Sequence, residues 1–103
     1  MLFHKFATEL FEWVAPYSGS PDGIGLMARK EIMNTLHALI VKHNIQIGSY
    51  AVFTTSIISL CNVWVRTSNR PYTDNQKTDF IQRAARIVKR NQEPIESDFD
   101  FFS

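Results

Sequence analysis

Residues 50–66, YAVFTTSIISLCNVWVR, decide the fold class, because they suit either one helix or several strands. Their many β-branched side chains favour strands. At 100° per residue, however, the polar side chains of this segment fall on one narrow stripe of a helix. These side chains are Thr55, Ser59, Asn62 and Arg66. Apolar side chains surround the rest of that helix, so the pattern predicts a helix in the middle of a bundle, with strands as the alternative.

The only candidate for a membrane span includes most of the same segment. Residues 44–65 contain no charged side chain, and a helix of that length would cross a bilayer. Serine, threonine, asparagine and glutamine side chains are nevertheless frequent in this stretch, and such side chains are unfavourable in hydrocarbon. We therefore expect a buried core helix and no membrane contact.

Two helices are predicted before this segment. Residues 2–14 place aromatic and aliphatic side chains on one half of a helix and charged side chains on the other half. Pro16 and the turn-forming residues after it should end this helix. The Ser-Pro-Asp sequence at residues 20–22 is expected to cap a second helix. That helix should reach about His43, with Asn44 as its C-cap.

A fourth helix is predicted after the capping box at residues 73–76, TDNQ, in which the Thr and Gln side chains bind otherwise free amides. Its apolar side chains share one face and are Phe80, Ile81, Ala84, Ile87 and Val88. The opposite face is basic and consists of Arg83, Arg86, Lys89 and Arg90. Asp79 lies four residues before Arg83, so we expect an ion pair between them.

Four helices joined by short connections predict an all-α fold, a compact four-helix bundle-like single domain. A less regular packing of the four helices is the alternative. We assign the helical domain to residues 1–92 and an acidic-aromatic C-terminal tail to residues 93–103, because the tail has no helical period.

Charge is sorted by position along the chain, although its formal net value is only +1. Residues 66–90 contain seven basic and two acidic side chains, whereas residues 91–103 contain four acidic and no basic ones. Side chains of one sign on a short stretch attract the opposite charge. The two segments are therefore the candidate contact surfaces.

The basic face of the fourth helix suits phosphates or carboxylates, because a guanidinium group donates two parallel hydrogen bonds. A solvated helix face is the alternative interpretation. The tail contact is predicted to use Asp98, Phe99, Asp100, Phe101 and Phe102. These aromatic side chains either anchor the tail in a partner's groove or fold back onto the chain's own domain. We favour the docked tail, since exposed phenylalanine side chains are unfavourable in water.

The residues match no catalytic, cofactor or metal site. His37 and His43 are six positions apart, which places them on different sides of one helix and disfavours a metal site. We expect His43 to interact with the carbonyl end of the second helix. Cys61 is the only cysteine and lies in the most apolar segment, so a buried structural thiol is expected. We predict no catalytic residue, no metal ion and no cofactor.

The leading hypothesis is a small non-enzymatic helical protein that binds a protein partner and inhibits or adapts it. The alternative is a nucleic-acid-binding protein that contacts phosphates through the basic face. A single cysteine and an N-terminal segment without a continuous apolar run predict a cytoplasmic protein. Assembly into a homo-oligomer stays open.

Overall fold

The computed structural model describes residues 3–25 and 27–92, and it contains four α-helices in this part of the chain. The helices are α1 (His4–Val14), α2 (Arg29–Lys42), α3 (Tyr50–Thr67) and α4 (Asp74–Arg90). A short 3₁₀ turn, Ala15–Tyr17, follows α1 and contains Pro16. This part of the chain is all-α, and its helices form a small bundle, as the sequence predicts. Residues 50–66 therefore belong to one helix rather than to strands.

Helix α1 contacts all three other helices through its side chains. Phe6 packs against Phe53 of α3, with 6.2 Å between the ring centroids. Phe11 lies 5.3 Å from Trp64 of α3 and 5.7 Å from Phe80 of α4, again between ring centroids. On its polar side, α1 forms ion pairs with the end of α2. The aromatic side chains of α1 therefore join the bundle together.

The prediction that α3 lies in the middle of the bundle is wrong. One face of α3 is buried and consists of Phe53, Thr54, Ile57, Cys61, Trp64 and Val65. On other sides of the helix, Val52 and Val63 are 55% and 52% exposed. Isolated exposed aliphatic side chains are common on protein surfaces. Apolar side chains on all sides of a helix therefore do not imply that other helices cover all of its sides.

Helix α4 begins at the predicted capping box. The Gln76 amide donates a hydrogen bond of 3.1 Å to the Thr73 hydroxyl, and the Thr73 amide donates one of 3.0 Å to the Gln76 side chain. The Trp64 indole donates a further hydrogen bond of 3.0 Å to the Gln76 carbonyl. The start of α4 is thus fixed both by its own cap and by a side chain of α3.

The predicted start of the second helix is wrong, because α2 begins at Arg29 and residues 20–22 form turns. The connection before α2 is bonded to α3 instead of continuing as a helix. The Ile24 amide donates to the Asn62 side chain at 3.0 Å. At Gly23, where φ is +62°, an added Cβ would lie 2.0 Å from the same Asn62 oxygen. Only glycine suits this close approach.

The end of α2 lies near the predicted position, with His43 as C-cap and Asn44 in the left-handed conformation after it. His43 lies at the carbonyl end of α2 as expected, where its backbone amide donates to the Leu39 carbonyl at 3.0 Å, but its ring contacts another helix. Its Nε2 atom lies 2.8 Å from Oε2 of Glu9 on α1. Lys42 binds the other Glu9 oxygen. These hydrogen bonds, from Lys42 first and then His43, lower the pKa of Glu9.

Within residues 3–25 and 27–92, no helix combines the length and the apolar character that crossing a membrane requires. The uncharged stretch at residues 44–65 begins in the connection between α2 and α3, and it is helical only from Tyr50 onward.

Candidate binding groove between α3 and α4

Helix α4 separates its two faces as its sequence pattern predicts. The apolar side chains proposed for the inner face are all buried: Phe80, Ile81, Ala84, Ile87 and Val88. The four cations proposed for the contact surface are all exposed: Arg83, Arg86, Lys89 and Arg90. The pattern of period 3.6 therefore brings these four positive charges together on the outer side of the bundle.

The four cations line an open groove between α4 and α3, with a volume of about 820 Å³. Helix α3 contributes two hydroxyl groups, from Ser56 and Ser59, and the apolar side chain of Leu60. Ile87 of α4 adds a second apolar side chain. We call this feature the basic groove, and it combines positive charge, hydroxyl donors and an apolar strip.

The side chains from α3 were not among the predicted contact residues. Ser59 lies on the predicted polar stripe and is exposed, but its position beside α4 depends on how the two helices pack. Leu60 is only partly buried. Its partial exposure supplies the groove with apolar surface.

The charges in the basic groove are mostly free of acidic neighbours in the described part of the chain. Arg83 forms the predicted ion pair with Asp79, with 2.8 Å between Nε and Oδ2. Both side chains are more than half exposed, so this pair contributes little stability. Within residues 3–25 and 27–92, Arg86, Lys89 and Arg90 form no ion pair. The groove therefore has a positive field that can attract an anionic ligand.

The predicted tail contacts, Asp98, Phe99, Asp100, Phe101 and Phe102, lie outside the described residues. The structure does describe where the chain leaves α4. The Gly48 amide donates to the Asn91 carbonyl at 3.0 Å, and Gln92 forms an isolated antiparallel bridge with Ile47. Residues 91 and 92 therefore lie beside the connection between α2 and α3.

A second cleft lies between α3 and the segment that precedes α2, with a volume of about 490 Å³. Its lining includes the apolar side chains of Ile24, Met27, Ile32 and Ile58. Ser59 borders both this cleft and the basic groove. The second cleft also contains Arg29, so the exposed stripe of α3 lies between a groove with four cations and a cleft with one.

Cys61 is a buried structural thiol, as predicted, and only 1% of its surface is exposed. Burial raises its pKa to about 12, which keeps the sulfur protonated and unreactive near neutral pH. In the described part of the chain, no group of three His, Cys, Asp or Glu side chains is arranged to hold a metal ion.

In comparisons with known proteins, no family model, no curated protein and no solved structure matches the chain.

Proposed function

We propose that the chain is a non-enzymatic binding protein that takes an acidic segment of a protein partner into the basic groove. The observation that supports this proposal is the combination of four cations, two hydroxyl groups and two apolar side chains in one groove. Carboxylates would bind the guanidinium and ammonium groups, and an apolar side chain of the partner would pack on Leu60 and Ile87. Binding of this kind would inhibit the partner or adapt it to another molecule.

The apolar strip favours a protein ligand over nucleic acid. A phosphate backbone would use the cations of the groove but would leave the partly exposed Leu60 side chain without a complementary surface. An acidic peptide with an apolar side chain would use both. We propose the cytoplasm as the compartment, because a single cysteine suits a reducing environment.

Nucleic acid is the second candidate ligand, and the arrangement of the arginines supports it. Arg83, Arg86 and Arg90 are spaced three and four positions apart, so they share one exposed face of α4. Together with the hydroxyl groups of α3, they could contact consecutive phosphates. This candidate predicts binding that weakens steeply as salt is added.

A capture experiment with the full chain separates the two candidates. The wild type, the double variant Arg86→Ala/Arg90→Ala and the control Lys5→Ala/Lys30→Ala would each be immobilised and incubated with a lysate of the source cells. The control removes the same charge from exposed positions on α1 and α2. Each capture would be run with and without nuclease, and the bound proteins would be identified by mass spectrometry.

We expect a protein that is retained by the wild type and by the control, survives nuclease and is lost from the groove variant. Retention that requires nucleic acid would support the second candidate. Equal retention by all three chains would contradict a role for the basic groove.

A further inference from the structure

We propose that the basic groove binds residues 95–103 of the same chain. This segment then competes with the partner's acidic segment for the groove. This inference rests on the proposed function, because it assigns the same groove an acidic and aromatic ligand. Its consequence is that the groove is only partly open to other acidic segments in the isolated protein.

Charge complementarity supports this occupant. Arg83 already pairs with Asp79. The three remaining cations of the groove are Arg86, Lys89 and Arg90. Residues 95–103, IESDFDFFS, contain three acidic and no basic side chains. Three carboxylates would thus meet three cations that form no ion pair in the described part of the chain.

The apolar composition of the segment matches the groove as well. Beside the cations, the groove has apolar surface from the partly exposed Leu60, with the buried Ile87 at its base. Residues 95–103 alternate acidic and aromatic side chains over positions 98–101, DFDF. Alternate side chains of an extended segment point to opposite sides, so such a segment would turn its carboxylates and its aromatic rings to different surfaces. The groove offers a surface for each.

The distances allow this contact. The groove residues from Arg83 to Arg90 cover about 10 Å of α4 at 1.5 Å per residue. An extended chain covers about 3.3 Å per residue, so the residues after Gln92 can reverse direction and reach the length of the groove. A tether this short raises the local concentration of the segment to the order of millimolar. Even a weak contact would therefore be populated.

Paramagnetic relaxation measured by NMR tests the proposal on the full chain. A nitroxide label would be attached to the variant Ser103→Cys in the ¹⁵N-labelled protein. The buried Cys61 thiol, with its pKa raised to about 12, should not react with the reagent. If the segment occupies the groove, the amide signals of Ser59, Leu60 and Arg86 should lose most of their intensity. Those of residues on the far side of α2 should keep theirs.

Two variants of the labelled chain provide the specificity control. Arg86→Ala/Arg90→Ala should restore the signals of the groove residues, whereas Lys5→Ala/Lys30→Ala should leave them broadened. Full intensity throughout the groove in the labelled wild-type sequence would overturn the proposal. A mixture of nitroxide-labelled chains without ¹⁵N and ¹⁵N chains without nitroxide shows whether a second copy supplies the segment. If the mixture shows the same broadening as the chain that has both labels, the segment comes from a second copy, and the proposal of self-binding is overturned.

Competition is tested with a fluorescent peptide of the sequence IESDFDFFS. The full-chain variant Phe99→Ser/Phe101→Ser/Phe102→Ser should bind this peptide more tightly than the wild type does. The ratio of the two dissociation constants, wild type over variant, should equal the reciprocal of the fraction of wild-type molecules whose groove is unoccupied. Equal affinities would show that the segment does not close the groove.

The outcomes of this test and of the capture experiment are distinguishable. Capture of a partner through the groove without broadening would leave the proposed function intact and remove the self-binding. Broadening without capture would show a groove that binds its own segment alone.

Discussion

Helices α3 and α4 line the same groove, but only the sequence pattern of α4 predicts which side of the helix is buried. Helix α4 separates buried apolar side chains from exposed charged ones along its whole length. Helix α3 has apolar side chains on both its buried and its exposed surfaces, and two of its valines are about half exposed. A sharp boundary between charge and apolar surface predicts the orientation of a helix, whereas a continuous apolar circumference does not.

The largest effect on the free energy of unfolding is expected within α3, between its buried and its exposed side. Ile57→Ala should lower the free energy of unfolding by about 2–5 kcal/mol, because the side chain is fully buried. Val63→Ala should change it by about 0.5 kcal/mol or less, since half of that side chain is exposed. Urea denaturation measures both values. Leu60→Ala, at a partly buried position, should fall between them.

Equal losses for Ile57→Ala and Val63→Ala would contradict the exposed surface of α3. Such a result would point to a second molecule that covers Val63, and it would then depend on protein concentration.

The second test uses a titratable group that only the buried face of α3 contains. Burial raises the pKa of Cys61 to about 12, so the folded chain holds a proton that the unfolded chain releases at lower pH. This contribution to stability is complete below the unfolded pKa, near 9, and is lost as the pH rises towards the folded pKa. The loss should approach about 1.4 kcal/mol per pH unit within this window.

Cys61→Ala should remove this part of the alkaline slope, and the slopes of the two proteins are compared by urea denaturation from neutral pH to above the unfolded thiol pKa, near 9, because all other titrating groups are common to both. Val88→Ala on α4 is the matched control, because it also truncates a fully buried side chain but removes no titratable group. An unchanged slope in Cys61→Ala would show that the thiolate is tolerated in the folded chain.

The third test compares the N-terminal caps of the two helices. Thr73→Ala should lower the free energy of unfolding by about 1 kcal/mol, because it removes the hydroxyl that accepts a hydrogen bond of 3.1 Å from the Gln76 amide and so breaks one bond of the capping box. Ser49→Ala should have a smaller effect, since its hydroxyl accepts one long hydrogen bond of 3.3 Å from the Val52 amide. Urea denaturation of both variants gives the values. A larger loss at Ser49 would reverse the order of the two caps.

The smallest effect on stability is expected on the outer face of α4. Arg86→Ala/Arg90→Ala should keep the free energy of unfolding within about 0.5 kcal/mol of the wild type, because both side chains are exposed. The same variant should elute from a heparin column at lower salt, since its positive field is weaker. Lys5→Ala/Lys30→Ala has the same net charge and should elute later than the groove variant. Coincident elution would show that net charge alone controls the binding.

The sequence was sufficient to predict α4 because its signals are local. The capping residues, the apolar face and the basic face lie within one continuous segment. Each is found where helix geometry predicts it: the cap at the start of the helix, the apolar face buried and the basic face exposed. The four cations of the groove could be identified for the same reason. Their neighbours Ser56 and Leu60 could not, because that contact depends on the packing of α3 against α4.

The start of α2 could not be predicted because distant residues determine it. The Ser-Pro-Asp sequence at residues 20–22 is a valid local signal for a helix start. Hydrogen bonds from this region to α3 hold it in turns instead, including the bond from the Gly19 amide to the Val65 carbonyl at 2.8 Å. His43 is a similar case, since its partner Glu9 lies on another helix.

The packing of Phe11 against Phe80 has a consequence for synthesis on the ribosome. These two rings belong to the first and the last helix, so the aromatic side chains of α1 leave the ribosome long before those of α4. At about 5–20 residues per second, the interval for the roughly 70 intervening residues is about 4–14 seconds. During this time, Phe11 cannot pack against Phe80. The nascent chain would therefore expose an aromatic surface that chaperones can bind until α4 emerges.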